Sequence, residues 1–111
     1  MALGKQAKVL TEAQQRSILK FLEDRPSSRR NVVMFLLSVD AGLRAKEIAA
    51  LEWSMVTDAE GNLSDAIRLL DRASKGRSGG IIYLSARLRA ALAEYTLEAD
   101  REGVLLRSTR G

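Results

Sequence analysis

Three side chains in this sequence have types and spacing suited to handling an anion: Arg44, Glu47 and Lys75. Arg44 and Glu47 stand three apart in "DAGLRAKEIAALEW", residues 40–53, at the start of an otherwise apolar helical pattern. That spacing places them on one helix face and within reach of each other. Two readings of Arg44 stay open on spacing alone. In one it forms a surface ion pair with Glu47, worth about 0–1 kcal/mol. In the other Glu47 steadies the guanidinium while its remaining N–H groups face a phosphate, whose oxygens the planar fork can bind in pairs. Lys75 lies in "ASKGRSGG", between Arg72 and Arg77. It reads either as a solvated turn lysine or as a cation in a loop whose glycines let backbone approach a ligand.

The chemistry these residues can join is bounded by what the chain lacks. It has no cysteine and no histidine. Disulfides, thiolate chemistry, Cys or His metal sites and His-based acid/base mechanisms are therefore excluded, and no metal or cofactor is expected. No apolar run approaches the roughly 20 residues of a membrane span, and "MALGKQAKVL" has no signal-peptide core. The expected setting is cytoplasmic, in a protein of bacterial type. Lys and Arg outnumber Asp and Glu by 18 to 14, a net charge of +4. That bias is mild and fits nucleic acid or an ordinary basic domain. It is concentrated between residues 68 and 89, where Arg68, Arg72, Lys75, Arg77, Arg87 and Arg89 face one acid, Asp71. Such a cluster suits a nucleic-acid backbone, with binding that weakens steeply in salt.

The elements that must position these residues can be read from periodicity. The 111 residues make one small domain, and 46% hydrophobic content is enough for a core. Thr11 and Gln14 have capping-box spacing. They open a helix over about 11–24 with Ile18, Phe21 and Leu22 on one face. Pro26 breaks it. Ser28 is the expected cap of a second helix over about 29–41, whose centre "VVMFLLSV" is apolar nearly all round and so buried on several sides. Gly42 suits its end. A third helix covers about 45–52, with Ile48, Leu51 and Trp53 toward the core. "TDAEGN" is turn chemistry. Strands are expected at about 66–71 and 80–84 around a glycine-rich hairpin loop. Ser85 caps a last helix over about 86–99 with Leu88, Leu92 and Tyr95 inward. The fold class is mostly α with a small antiparallel hairpin, an α+β arrangement.

Other motifs fare less well. "KGRSGG" lacks the G-x-x-x-x-G-K-[ST] of a phosphate loop. "KEIAALEWSMV" has the form of the first half of a helix-turn-helix, but a recognition helix starting near Ser54 is cut off by "TDAEGN". Tyr83 and Tyr95 are possible nucleophiles by type; their places in a strand and on an apolar helix face predict core packing for both.

The residues quoted so far, read together, resemble the opening of the catalytic domain of tyrosine recombinases, the phage-integrase family. Members read as a helix opened by L-T, a buried apolar helix, then G-L-R-x-x-E-I-x-x-L-x-W, matched here by "LTEAQQRSILKFLED" and "VVMFLLSVDAGLRAKEIAALEWSMV". "TDAEGNLSDAIRLLDRASKGRSGGIIYLS" is similar to the family's small sheet with a lysine hairpin, and "RLRAALAEY" and "VLLRSTRG" to the helix and extended piece that follow. The resemblance covers nearly the whole chain.

It implies a partial recombinase catalytic-domain fold that grips DNA. Carried over, Arg44 is the first catalytic arginine on the scissile phosphate and Glu47 a supporting acid. Lys75 is the lysine that protonates the leaving 5′ hydroxyl. Arg72, Ser74, Arg77 and Lys46 are implied as DNA contacts. The family's H-x-x-R box and tyrosine nucleophile are not found, and "VLLRSTRG" ends in mid-phrase. The expectation is thus a truncated recombinase, associated with DNA integration and a mobile element, that cannot cleave DNA alone. The alternatives are a non-enzymatic regulator that binds DNA or a full-length recombinase, and a helix-turn-helix-like transcription factor. A bare fragment should expose an apolar face and self-associate.

Overall fold

The computed structural model describes residues 10–69 and 80–106. Helix α1, Glu12–Glu23, opens with the expected capping box: Gln14 N–H donates to Thr11 Oγ1 at 3.1 Å, and Thr11 N–H to Gln14 Oε1 at 2.9 Å. Its apolar face is not a buried one. No residue of α1 is fully buried, Ile18 and Leu22 are half-covered, and Phe21 is 55% exposed beneath the Arg25 guanidinium, 4.3 Å from its ring centre.

Helix α2, Ser28–Val39, is the central element, packed against α1, a later helix and a short one. Ser28 does not cap it. It is the first helical residue, and Ser27 stands at the cap with left-handed backbone (φ 62°) and no side-chain cap bond. The chain turning away at Pro26 sets the entry instead. Val33, Leu36 and Leu37 supply the core, while Met34 and Phe35 stay half-covered. The helix ends at Val39, two residues before the expected boundary. Gly42 then turns the chain at φ +71°, and the Leu43 N–H returns to the Leu37 carbonyl at 3.2 Å.

Helix α3, Ala45–Ala49, is shorter than its pattern suggests. The reason lies far away in sequence. Leu105 N–H donates to the Leu51 carbonyl at 2.8 Å and Trp53 N–H to the Gly103 carbonyl at 2.9 Å. The backbone after Ala50 pairs with residues 103–105 instead of continuing the helix. A single 3-10 turn, Trp53–Met55, follows. The recognition helix of a helix-turn-helix is not formed there. Asp58 then closes a turn by accepting from Glu60 N–H and Asn62 N–H, both at 2.9 Å.

Strands β1, Ala66–Leu69, and β2, Gly80–Tyr83, pair antiparallel with Ile67 opposite Ile82 and Leu69 opposite Gly80. The expected extension to 70 and 71 lies outside the described residues. Alternation sends Ile67, Leu69 and Ile82 toward the core and Arg68, Ile81 and Tyr83 to the other face. Tyr83 is 77% exposed, so the core position expected for it is wrong. Tyr95 is buried as expected.

Helix α4, Ala86–Tyr95, is capped by Ser85, whose hydroxyl accepts from Leu88 N–H. It ends four residues early. Thr96 Oγ1 donates back to the Ala93 carbonyl, and the chain turns through left-handed Arg101 and Gly103 to meet residues 51–53. Leu88 and Leu92 meet α2 in the core. Trp53 stacks on Tyr95 with centroids 5.7 Å apart, and the Tyr95 hydroxyl donates to the Leu105 carbonyl at 2.9 Å. That stack fixes the 3-10 turn to the end of α4.

Candidate nucleic-acid interface

Arg44 stands at the N-cap of α3 with extended backbone (φ −83°, ψ 161°). The Glu47 carboxylate turns back and accepts from the Arg44 backbone N–H at 2.8 Å. This differs from the ion pair that the spacing allowed. Glu47 fixes the backbone of Arg44, not its guanidinium. The side chain itself is exposed and has no hydrogen bond or ion pair among the described residues. The order of atoms explains this. A carboxylate three residues into a helix reaches the orphan N–H at the cap, while the arginine stem leads away. The buried neighbours Leu43 (3% exposed) and Ile48 hold the turn and helix against the core.

Lys46 lies on α3, one turn-face away, also exposed. Lys75, Arg72, Ser74 and Arg77 lie outside the described residues. Leu69 and Gly80, which flank residues 70–79, are paired across the sheet, and Arg68 is exposed on its outer face.

The basic run counted from sequence is smaller in space. Arg89 pairs with Asp65 at 3.0 Å and donates to the Leu63 carbonyl. Arg87 is held more completely. Its Nε donates to Asp40 Oδ2 at 2.8 Å. Its Nη2 donates to Asp40 Oδ1 and to Gln15 Oε1, both at 2.7 Å. Ser85 Oγ donates to the same Asp40 Oδ2 at 2.6 Å. The hydrogen bonds from Arg87 hold the Asp40 carboxyl below its ordinary value, against the desolvation that pushes it up, with Ser85 helping. Asp40 in turn raises the Arg87 guanidinium. No sequence signal pointed to this cluster. Gln15, Asp40 and Arg87 belong to three different helical regions, and only packing joins them.

An apolar groove of about 800 Å³ lies between α1, α2 and α3, walled by Leu10, Ile18, Leu22, Phe35, Ile48 and Leu106 with Arg30 and Asn31 at its edge. It has no set of convergent acids and bases, so it reads as a packing surface and not a reaction site. Among the described residues no group of three acidic, His or Cys side chains could hold a metal, and no helix is long and apolar enough to cross a membrane.

What the arrangement can do is present a fixed-backbone arginine to an anion, with the other cations of that region partly neutralised. A family model described as the phage integrase family matches residues 8–111. No curated protein and no solved structure matches the chain.

Proposed function

The chain belongs to the phage integrase family, and from that premise we propose that its 111 residues serve site-specific DNA recombination by gripping the DNA backbone without cleaving it on their own. The observation that carries this reading is Arg44: exposed, unpaired among the described residues, and with its backbone fixed by Glu47. An arginine so held contacts a phosphate without first breaking an internal bond. Lys46, Arg72, Ser74 and Arg77 extend the grip along the backbone, and Lys75 is the proton donor toward a leaving 5′ oxygen. Positive charge on the phosphate oxygens and a proton for the departing alkoxide are what such a displacement requires. The nucleophile is not supplied here. Tyr95 has its hydroxyl bound to the Leu105 carbonyl in the core, and neither it nor the exposed Tyr83 stands where the resemblance puts the family's nucleophile, near the end of the catalytic domain.

The test is binding of a labelled duplex at several salt concentrations, with a denaturing gel on the same samples. Affinity should fall with salt, and Arg44→Ala should lower the slope of log K against log salt by about 0.9, the value for one phosphate contact. An unchanged slope, or a covalent protein–DNA band from the unaltered chain, refutes the reading. The groove favours a second role, in which another copy or a full-length recombinase covers the apolar wall. Light scattering across a concentration series separates it: a strictly monomeric chain rejects self-association.

A further inference from the structure

Arg87 is engaged by geometry that the proposed function does not use. Its guanidinium is bound along one edge by both oxygens of Asp40, and its Nη2 also reaches Gln15. Asp40 takes a third donor from Ser85. One latch thus ties α1, the end of α2 and the start of α4. Asp40 is also the C-cap of α2, with its N–H on the Leu36 carbonyl. From there the chain runs through Ala41, the left-handed Gly42 and the buried Leu43 directly to Arg44. Four residues span at most about 14 Å even when extended, and here they are folded into a turn.

We infer that Arg87, acting through Asp40, is a positioning residue for Arg44: the latch holds the turn that sets where the free arginine meets a phosphate. The two arginines divide the work. Arg87 has its charge neutralised inside the protein and contacts no DNA. Arg44 keeps its fork open because Glu47 engages only its backbone. A bidentate fork tolerates little angular error, so loosening Asp40 misaims Arg44 without removing it. The Asp40 side chain is only 15% exposed against 43% for Arg87, which keeps water from replacing the carboxylate's partners freely.

The inference rests on the DNA-gripping role of Arg44, and a mutant cycle separates the two. Asp40→Asn with Arg87→Met removes one charge of each sign, so net charge and long-range attraction stay the same. Duplex binding is measured for this pair, for Arg44→Ala and for the combination, with thermal unfolding run on each. The pair should weaken binding about fivefold in the natural background and leave the Arg44→Ala protein unaffected, the signature of coupled sites. It should also lower the salt slope in the natural background, which a merely structural lesion would not do. Equal losses in both backgrounds, or no loss in either, overturn the positioning role while leaving the grip of Arg44 intact. If Arg44→Ala alone changes nothing, the DNA-gripping reading fails and the latch's role with it. Should the pair unfold the chain, Gln15→Leu, which removes the second acceptor of Nη2 along with the Gln15 Nε2 bond to the Leu10 carbonyl, goes through the same cycle, and additive losses then overturn the inference.

Discussion

The starts of α3 and α4 are built alike and end up with opposite properties. Each is a helix N-terminus with an arginine close by, and each N-terminus is satisfied by a side chain of its own first turn or cap. At α4 the Ser85 hydroxyl accepts from Leu88 N–H, and Arg87 is held by Asp40 and Gln15. At α3 the Glu47 carboxylate accepts from Arg44 N–H, and the guanidinium stays open. The difference is not the residue type but the presence of a carboxylate from another helix. Asp40 arrives beside α4; among the described residues no acid arrives beside Arg44. An arginine next to a helix start is therefore structural or available for binding according to what packs against it.

The largest effect that separates the two regions is in their support. Leu88 is fully buried between α4 and α2, whereas Ile48 of α3 borders the open groove. Leu88→Ala should cost about 3–4 kcal/mol and Ile48→Ala about 2 kcal/mol, because neighbours at an open wall can collapse into the space. Chemical denaturation of both variants measures this. An equal cost would mean that the α3 wall is as rigid as the α4 wall.

Next in size is the latch. Asp40→Asn should lower stability at neutral pH by about 1–2 kcal/mol, tempered by the solvent that reaches Arg87. The folded-state pKa of Asp40 lies below its ordinary 3.8. Its contribution is therefore full above pH 3.8 and is lost as pH falls through the lower folded value. The unaltered protein should lose melting temperature in that acid range more than Asp40→Asn does. Parallel curves for the two would remove Asp40 from the account.

The smallest effects are at α3 itself. Glu47→Ala deprives the Arg44 N–H of its acceptor and should cost about 0.5–1 kcal/mol. Arg44→Ala should change stability by less than about 0.5 kcal/mol, since nothing described depends on its guanidinium. If thermal unfolding shows Arg44→Ala to be the more damaging of the two, that arginine is a structural residue after all, and the contrast with Arg87 disappears.

Much of this was legible before folding. Thr11 and Gln14, Ser85, and the inward set of Ile48, Leu51, Leu88, Leu92 and Tyr95 are where spacing put them, because caps and faces are set by residues within a turn or two. The hairpin and its strands follow from local alternation and turn residues. Of the candidate site, the closeness of Arg44 and Glu47 follows from their spacing, but that Glu47 binds the backbone N–H and not the guanidinium does not; the residues from Arg72 to Arg77 lie outside the described ones. Helix α3 was read too long because its stop signal lies about 50 residues away, where 51–53 and 103–105 pair; α4 ends where Thr96 bonds back to the Ala93 carbonyl, which the apolar spacing did not show. Tyr83 was read as buried because alternation gives a period and not which face is covered. Phe21 shares the apolar stripe of Ile18 and Leu22 yet stays 55% exposed, because a stripe gives the face and not what covers it.

By itself the sequence determined the order of elements, the caps at Thr11 and Ser85 and the family, all of which rest on short-range spacing and motif. Only the tertiary structure decided which cations remain available. Arg44, Arg87 and Arg89 are the same residue type within one basic chain. Arg87 meets Asp40, Arg89 meets Asp65, and the Arg44 guanidinium meets no carboxylate among the described residues, Glu47 holding only its backbone N–H. Coulomb attraction falls with distance in space, not along the chain. Packing therefore chose which arginine holds the fold together and which one faces outward.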